Sequence, residues 1–350
     1  MKGLKVIQIH RRAVTSRGML ALLALASLTV VAHAGDNYED KGFGVRLPPA
    51  FIRFREVTTM GAETVANRYS SAINPASAGW TPVPSKLGIV PAAYYSQVHF
   101  ANDMRLHLWG ESVRIDLKEW GTFQPSLSQI RVNEKTNRQG LDFGYHVDTV
   151  DLQWAKRCDS VAFGVGFNYA RARVTHDLGP MRVSESDADS YRLRFGALWE
   201  PCEKLLTGAI FEYGFAPYDA KTFLYQPVRR AIPDSGVPHQ YVFRPGVSYQ
   251  YGDMSSVYCD YQFGAFTKGH DTLKSHRFNF GVDHRLLEFL WGRFGLSVDA
   301  RGNVGLSTGV SAHLAEWLSF DAAYQYDMYP ELRREFGRSH TIQLALALRF

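Results

Sequence analysis

The sequence predicts an all-β fold, a transmembrane antiparallel β-barrel of about 14 strands with 12 as the other count, and an N-terminal hatch or plug segment in its lumen. Three observations predict it. The last twelve residues, 339–350, read SHTIQLALALRF. From Thr341 onward Ile342, Leu344, Leu346, Leu348 and Phe350 fall on one face, against Thr341, Gln343, Ala345, Ala347 and Arg349 on the other. A period of two is a β-strand, and a large apolar face opposite a small or polar one suits a lipid-facing barrel strand about ten residues long. Similar alternation recurs from residue 88 onward, and short connections alternate with mostly longer ones.

The chain begins with Lys2, Lys5, Arg11, Arg12 and Arg17 and no acidic residue, followed by the apolar run 19–31 and then Ala32-His33-Ala34. A basic region, a short apolar core and an A-x-A end make residues 1–34 a secretory signal peptide. Thirteen apolar residues are too few to span a bilayer comfortably. The whole chain carries a formal charge of +5, and those five basic residues account for all of it. The remainder is neutral, so nucleic-acid binding loses its compositional support. No later apolar run reaches 18 residues, the length that marks a transmembrane helix.

Residues 36–87 are rich in small residues, Asn and Pro and alternate poorly. They read as a compact irregular segment, with 35–76 as the hatch; composition alone also allows disorder. The barrel is assigned to 77–350. Strands are expected near 88–100, 103–115, 141–154, 161–173, 190–199, 204–216, 240–251, 255–267, 275–286, 291–301, 304–314, 318–328 and 340–350. The clearest is 161–170, where Val161, Phe163, Val165, Phe167 and Tyr169 alternate with Ala162, Gly164, Gly166, Asn168 and Ala170. The polar faces carry both signs of charge, including Asp260, Asp283, Asp299, Asp321, Arg194, Arg301 and Arg349. In a soluble sandwich those charges would meet water; in a membrane barrel they line the lumen.

Connection lengths decide between the two. Short links alternate with longer ones at 116–140, 174–189, 217–239, 268–274 and 329–339, with only 302–303 out of step, the arrangement of an outer-membrane barrel. Trp154, Trp199, Trp291 and Trp317 fall near the short-turn, periplasmic rim as an interfacial belt. Single-chain bacterial barrels have even strand numbers. The thirteen strands therefore need a partner ahead of 88–100, for which the weak stretch 77–87 is the candidate, with 88–100 descending from outside.

The segment GAETVANRYSSAINPASAGW, followed by GIVPAAYYSQVHFANDMRLHLWGESV, resembles the start of the long-chain fatty-acid transporter (FadL/TodX-like) outer-membrane family over about residues 42–115. That family opens with a small hatch containing an Asn-Pro-Ala step, here Asn74-Pro75-Ala76, and then strands joined by a tight turn, here at 101–103. The resemblance implies a fourteen-stranded plugged barrel. It also implies passive uptake of hydrophobic or amphipathic, fatty-acid-like small molecules, with release sideways through a gap in the wall and the Asn74, Pro75 and Ala76 step in the gate. The stretch 77–87, broken by Pro82 and Pro84, departs from the family's first strand, and the outer loops lack an obvious amphipathic helix. A terminal Phe resembles the carboxyl-terminal signal read by the barrel assembly machinery, which makes Phe350 the assembly signal. The remaining expected partners are outer-membrane lipids and lipopolysaccharide.

No catalytic constellation has adequate spacing, so no enzyme activity and no cofactor is expected. No Cys/His cluster has zinc spacing. His107, His146, His284 and His313 lie within strands as hydrogen-bonding groups for the lumen. Cys158 and Cys202 occupy short turns one hairpin apart in an oxidising compartment. They form a disulfide only if their Cα atoms come within about 7 Å. Cys259 reads as a small hydrophobe. In the long loop 217–239, Phe223, Leu224 and Tyr225 could hold an acyl chain while Arg229 and Arg230 meet its carboxylate; an ordinary loop presenting cations to lipopolysaccharide is the other reading. A structural or secretion-associated barrel and a polar-solute porin remain as alternative functions.

Overall fold

The computed structural model describes residues 64–349 apart from 69–70, 81–86, 102–103, 133–141, 225–229, 254, 269–270, 328–332 and 334–336. A short helix α1 (Ala76–Trp80) precedes the strands β1 (Ile89–Phe100), β2 (Arg105–Asp116), β3 (Thr122–Val132), β4 (Asp142–Cys158), β5 (Val161–Leu178), β6 (Met181–Cys202) and β7 (Leu205–Phe215). The hairpin β8 (Tyr218–Leu224) and β9 (Arg230–Gly236) follows. Then come β10 (His239–Gly252), β11 (Ser255–Lys268), β12 (Asp271–Leu287), β13 (Leu290–Asp299), β14 (Val304–Ala315), β15 (Leu318–Tyr326) and β16 (Ser339–Leu348).

Every pairing is antiparallel, and all join chain neighbours except where β7 meets β10, β6 meets β8 and β1 meets β16. The last contact closes the sheet, with registers running from Ala92↔Ala347 to Phe100↔Ser339. Fourteen strands form the ring, and β8–β9 hang on an extension of β6. The expected fourteen strands are there, but the missing one is β3 and not 77–87. Residues 76–80 are helical, and β1 pairs directly with β16, leaving no place for a strand ahead of it. β3 escapes a reading by alternation because its inward residues Thr122, Gln124, Ser126 and Ser128 are small or polar and Pro125 interrupts its outward side.

This reverses the expected direction of β1. It starts at the rim that holds the carboxyl-terminal end of β16, here called the terminal rim, and ends at the opposite, loop rim. The turn at 101–104 therefore lies on the loop rim. The terminal rim carries short turns at 117–121, 159–160, 203–204, 253–254, 288–289 and 316–317. On the loop rim, 174–189 is the continuation of β5 and β6 through a tight turn, and 217–239 is the β8–β9 hairpin. Their alternation was hidden because the outward face carries charges and the inward face mostly small residues such as Ala172 and Ala188.

The outward face carries the large apolar side chains. In β5 these run from Val161 through Phe163, Val165 and Phe167 to Tyr169, and charges (Arg171, Arg173) follow toward the loop rim. Val161 and Tyr169 are eight residues apart, about 26 Å along a strand at ~3.3 Å per residue. Tilted by ~40°, that gives an apolar band about 20 Å tall, close to that of a membrane-spanning barrel. In β16 Ile342, Leu344 and Leu346 point out while Thr341 and Gln343 are buried, as the alternation predicts. Trp154, Trp199 and Trp317 are exposed near the terminal rim, and the Trp154 indole donates to the Trp120 carbonyl. Trp291 is a correction: it faces inward, 7% exposed, with its ring 4.7 Å from that of His313.

Cys158 and Cys202 are both exposed and unbridged. They end β4 and β6, with β5 between them, so they stand about two strand spacings, ~10 Å, apart. That exceeds the reach of a disulfide. Cys259 is half-buried on the outward side of β11. Under oxidising conditions the folded protein should run identically on gels with and without reductant, with Cys158 and Cys202 both labelled by a water-soluble maleimide. A reductant-dependent shift with labelling of neither would contradict the strand order.

Candidate functional site: the lumen and its wall

A fourteen-stranded ring encloses more space than its inward side chains can fill. Residues 64–68 and 71–80 pack against its inner face. Asn74, fully buried, organises them: its amide nitrogen donates to the Val65 carbonyl at 3.0 Å and to the Ala197 carbonyl of β6 at 3.1 Å. Its side-chain oxygen accepts the Ala76 backbone N–H at 3.0 Å. Asn74, Pro75 and Ala76 are thus brought together against β5 and β6, where the sequence singled them out. The wall makes room for them with glycines. A Cβ on Gly196 would lie 2.9 Å from Pro75 Cδ, and one on Gly164 would lie 2.8 Å from the Pro75 oxygen. The stretch 35–63 of the expected hatch and the signal peptide 1–34 lie outside the described residues.

Charged side chains of the inner wall hold the same segment. Asp260 Oδ2 accepts the Val65 N–H at 2.9 Å and pairs with Arg244 at 2.9 Å, while Asn279 donates to Asp260 Oδ1 at 2.7 Å. Arg194 donates to the Ala72 carbonyl at 2.9 Å and pairs with Glu212 at 3.2 Å and Asp151 at 3.5 Å. Nearer the terminal rim, Arg114 donates to the Ala78 carbonyl at 3.0 Å. There Trp80 lies beneath the guanidiniums of Arg157 and Arg68, 4.1 and 5.7 Å from its ring, and both arginines pair with Glu200. Buried ion pairs add little net stability, but removing one partner strands the other charge at a cost of about 3–5 kcal/mol. They therefore fix position more than they add strength. The lumen placement expected for Arg194, Asp260, Asp283 and Asp299 is observed.

The rest of the lumen divides in two. Toward the loop rim, inward residues of β1–β6 form an apolar cluster that includes Val98, Phe100, Leu106, Leu108, Ile130 and Val147. Toward the terminal rim lies a cavity of about 630 Å³, with Arg114, Asp283, Trp291, Arg293, His313 and Arg349 among its walls. A second pocket of about 480 Å³ opens in the wall itself across β16, β1, β2 and β3. Ala92, Ser112 and Leu346 line both, so one thickness of wall separates the two spaces there. Pro91 of β1 and Pro125 of β3 flank β2 at this seam. Proline donates no ladder hydrogen bond, and the β2–β3 register omits Val113 and Arg114, opposite Pro125 and Gln124.

The other expected site residues are scattered. Phe223 and Leu224 end β8, and Leu224 is opposite Arg230 at the start of β9. This hairpin stands on the β6 extension, and its base residue Tyr218 packs against the apolar cluster. Tyr225, Arg229 and Phe350 lie outside the described residues. Of the histidines, His313 lines the lumen cavity, while His107, His146 and His284 point outward. The seam itself went unread. Its signal was available as Pro91 and Pro125, prolines inside otherwise regular strands.

No protein-family model matches the sequence, and no curated protein does. Solved structures do. The toluene transporter TbuX of Ralstonia pickettii is 14% identical with a TM-score of 0.57, covering 85% of this chain and 97% of that one. The Pseudomonas putida toluene transporter TodX is 11% identical with a TM-score of 0.55, covering 84% and 96%. A Pseudomonas aeruginosa FadL homologue is 12% identical with a TM-score of 0.51, covering 85% and 97%. At such identities the likeness establishes the fold, and it is the fold implied by the resemblance over 42–115.

Gly196→Val should collide with Pro75 and release residues 64–80 from β5 and β6, at the ~1–3 kcal/mol typical of overpacking. Asn74→Ala should act in the same direction by leaving buried backbone groups unpaired. Both should raise single-channel conductance in planar bilayers. Unchanged conductance and unchanged thermal stability for both would show that this segment does not block the lumen.

Proposed function

We propose that the protein is an outer-membrane channel for passive uptake of hydrophobic or amphipathic small molecules, with the loop rim outside and the terminal rim in the periplasm. The observation that carries this reading is that lumen cavity and wall pocket lie back to back, sharing Ala92, Ser112 and Leu346 of one stretch of wall. A greasy solute gains ~25 cal/mol per Å² on leaving water, so a route that ends in the bilayer runs downhill. The apolar cluster on the inner wall toward the loop rim suits the first half of that route, and the proline-flanked seam at β1–β3 suits a sideways exit. The neighbours described as toluene transporters agree in chemistry; fold likeness is a weak warrant for a substrate. In this reading Asn74, Pro75 and Ala76 belong to the gate, and Phe223, Leu224, Tyr225, Arg229 and Arg230 to the outer entrance.

Filling the wall pocket tests the exit. Ala93 lines it from the outward face of β1, so Ala93→Trp should leave the ladder intact and slow uptake of a labelled hydrophobic solute about tenfold, a loss of ~1.4 kcal/mol in barrier terms. Uptake at the original rate by the folded variant would contradict a sideways exit. Saturable binding of a labelled fatty acid, weakened when Arg229 and Arg230 are both changed to Ala, is expected at the entrance. Large steady conductance without solute binding would instead indicate a polar-solute porin, and neither signal a structural or secretion-associated role.

A further inference from the structure

On the outward face of the loop rim, basic groups meet where β16, β1 and β2 run side by side. His99 of β1 is in register with His340 of β16 on one side and with Arg105 of β2 on the other. His107 lies on the same face of β2, two residues on from Arg105. Arg338 immediately precedes β16. Adjacent strands are about 4.8 Å apart, so His340, His99 and Arg105 form one row in which the guanidinium and the imidazole N–H groups can donate to a common anion. Among the described residues, the outer halves of β1, β2, β15 and β16 place no carboxylate on this face. Asp327, 3.8 Å from Arg338, is buried.

Tyrosines brace the cluster. Tyr95 Oη is 2.7 Å from His107 Nδ1, Tyr324 Oη is 2.6 Å from His340 Nδ1, and Arg338 donates to Tyr326 Oη at 2.9 Å. With Nδ1 engaged by a phenol, Nε2 of His107 and of His340 is the nitrogen left for an external partner. Directly toward the terminal rim the same face becomes apolar, with Ile342, Leu344 and Leu346 exposed.

We infer that this cluster is a binding surface for the phosphorylated headgroup of an outer-leaflet glycolipid, the lipid A part of lipopolysaccharide. Its phosphates would sit among His99, Arg105, His107 and His340, and its acyl chains would run over Ile342, Leu344 and Leu346. Phosphate groups at the boundary between apolar band and water supply anions to a row beside which no described residue places a carboxylate, and Arg fits phosphate oxygens in a bidentate manner. The inference rests on the outer-membrane assignment but not on the solute. Solute passage can persist whether or not the lipid binds.

The test is the fluorescence anisotropy of labelled diphosphoryl lipid A titrated with the purified full-length protein in neutral detergent. The combined His99→Gln, Arg105→Gln and His340→Gln variant, checked as folded by its heat-dependent gel mobility, should bind at least tenfold more weakly. Arg171→Gln, elsewhere on the loop rim, should bind as the original does. The pair His99→Gln and Arg105→Gln, which keeps both Tyr–His contacts, should show an intermediate loss. Dephosphorylated lipid A and phosphatidylglycerol should bind the original protein at least tenfold more weakly than the diphosphoryl form. Absence of binding, equal binding by the triple variant, or equal affinity for either comparison lipid would overturn the assignment.

Discussion

Inside a bilayer no water is available to a backbone N–H or C=O, so a sheet that crosses one must have no open edge. The pairing of β1 with β16 meets that demand here, and the remaining architecture follows from it. Closing the ring fixes an even number of strands, sends the side chains of each strand alternately to lipid and to lumen, and leaves an interior that needs filling. The outward sequence of Val161, Phe163, Val165, Phe167 and Tyr169 and the inward sequence of Ala162, Gly164, Gly166, Asn168 and Ala170 are two consequences of one closure. Gly164 lets the chain at Pro75 approach the wall, and Asn74 bonds the Ala197 carbonyl, so filling the lumen depends on the same alternation.

Two kinds of contact meet inside the ring and serve different ends. The layer of Arg194, Glu212, Asp151, Arg244 and Asp260 is buried and partnered, and it positions residues 64–68 and 71–76 through the Val65 N–H and the Ala72 carbonyl. The apolar cluster around Phe100, Leu106 and Ile130 forms no such anchor and offers a surface compatible with a greasy solute. Between Pro91 and Pro125 the lumen cavity and the wall pocket lie on opposite sides of the same stretch of wall. A closed ladder and a sideways exit are opposing demands. The gap beside Pro125 leaves most of the β2–β3 ladder bonded, and a similar gap lies beside Pro245 between β10 and β11.

Much of the fold was legible because membrane-facing strands must alternate large apolar with small or polar residues, as β16, β5 and β6 do. The even count was legible too, yet its missing member was sought at 77–87 when β3 supplied it. β3 hides because Ser126, Ser128 and Gln124 face the lumen while Pro125 and Gln129 face out, so neither side offers contrast. The β5 and β6 extensions and the β8–β9 hairpin were read as loops for a related reason. Beyond the apolar band the outward face turns polar and the inward face carries mostly small residues, so a period of two leaves only a faint mark. The Asn74-Pro75-Ala76 step was legible as a motif, but its fit against Gly164 and Gly196 requires contacts between distant segments. Likewise the row of His340, His99 and Arg105 joins residues that only barrel closure makes neighbours.

The central claim is that a hydrophobic solute leaves the lumen through the wall and not along the barrel axis. It is tested most directly by locating a brominated hydrophobic solute in crystals of the protein by anomalous scattering. The account predicts bromine density in the lumen cavity beside Ser112 and in the wall pocket between Pro91 and Pro125. Density confined to the axis and continuing to the periplasmic mouth past Lys204, with the wall pocket empty, would contradict it.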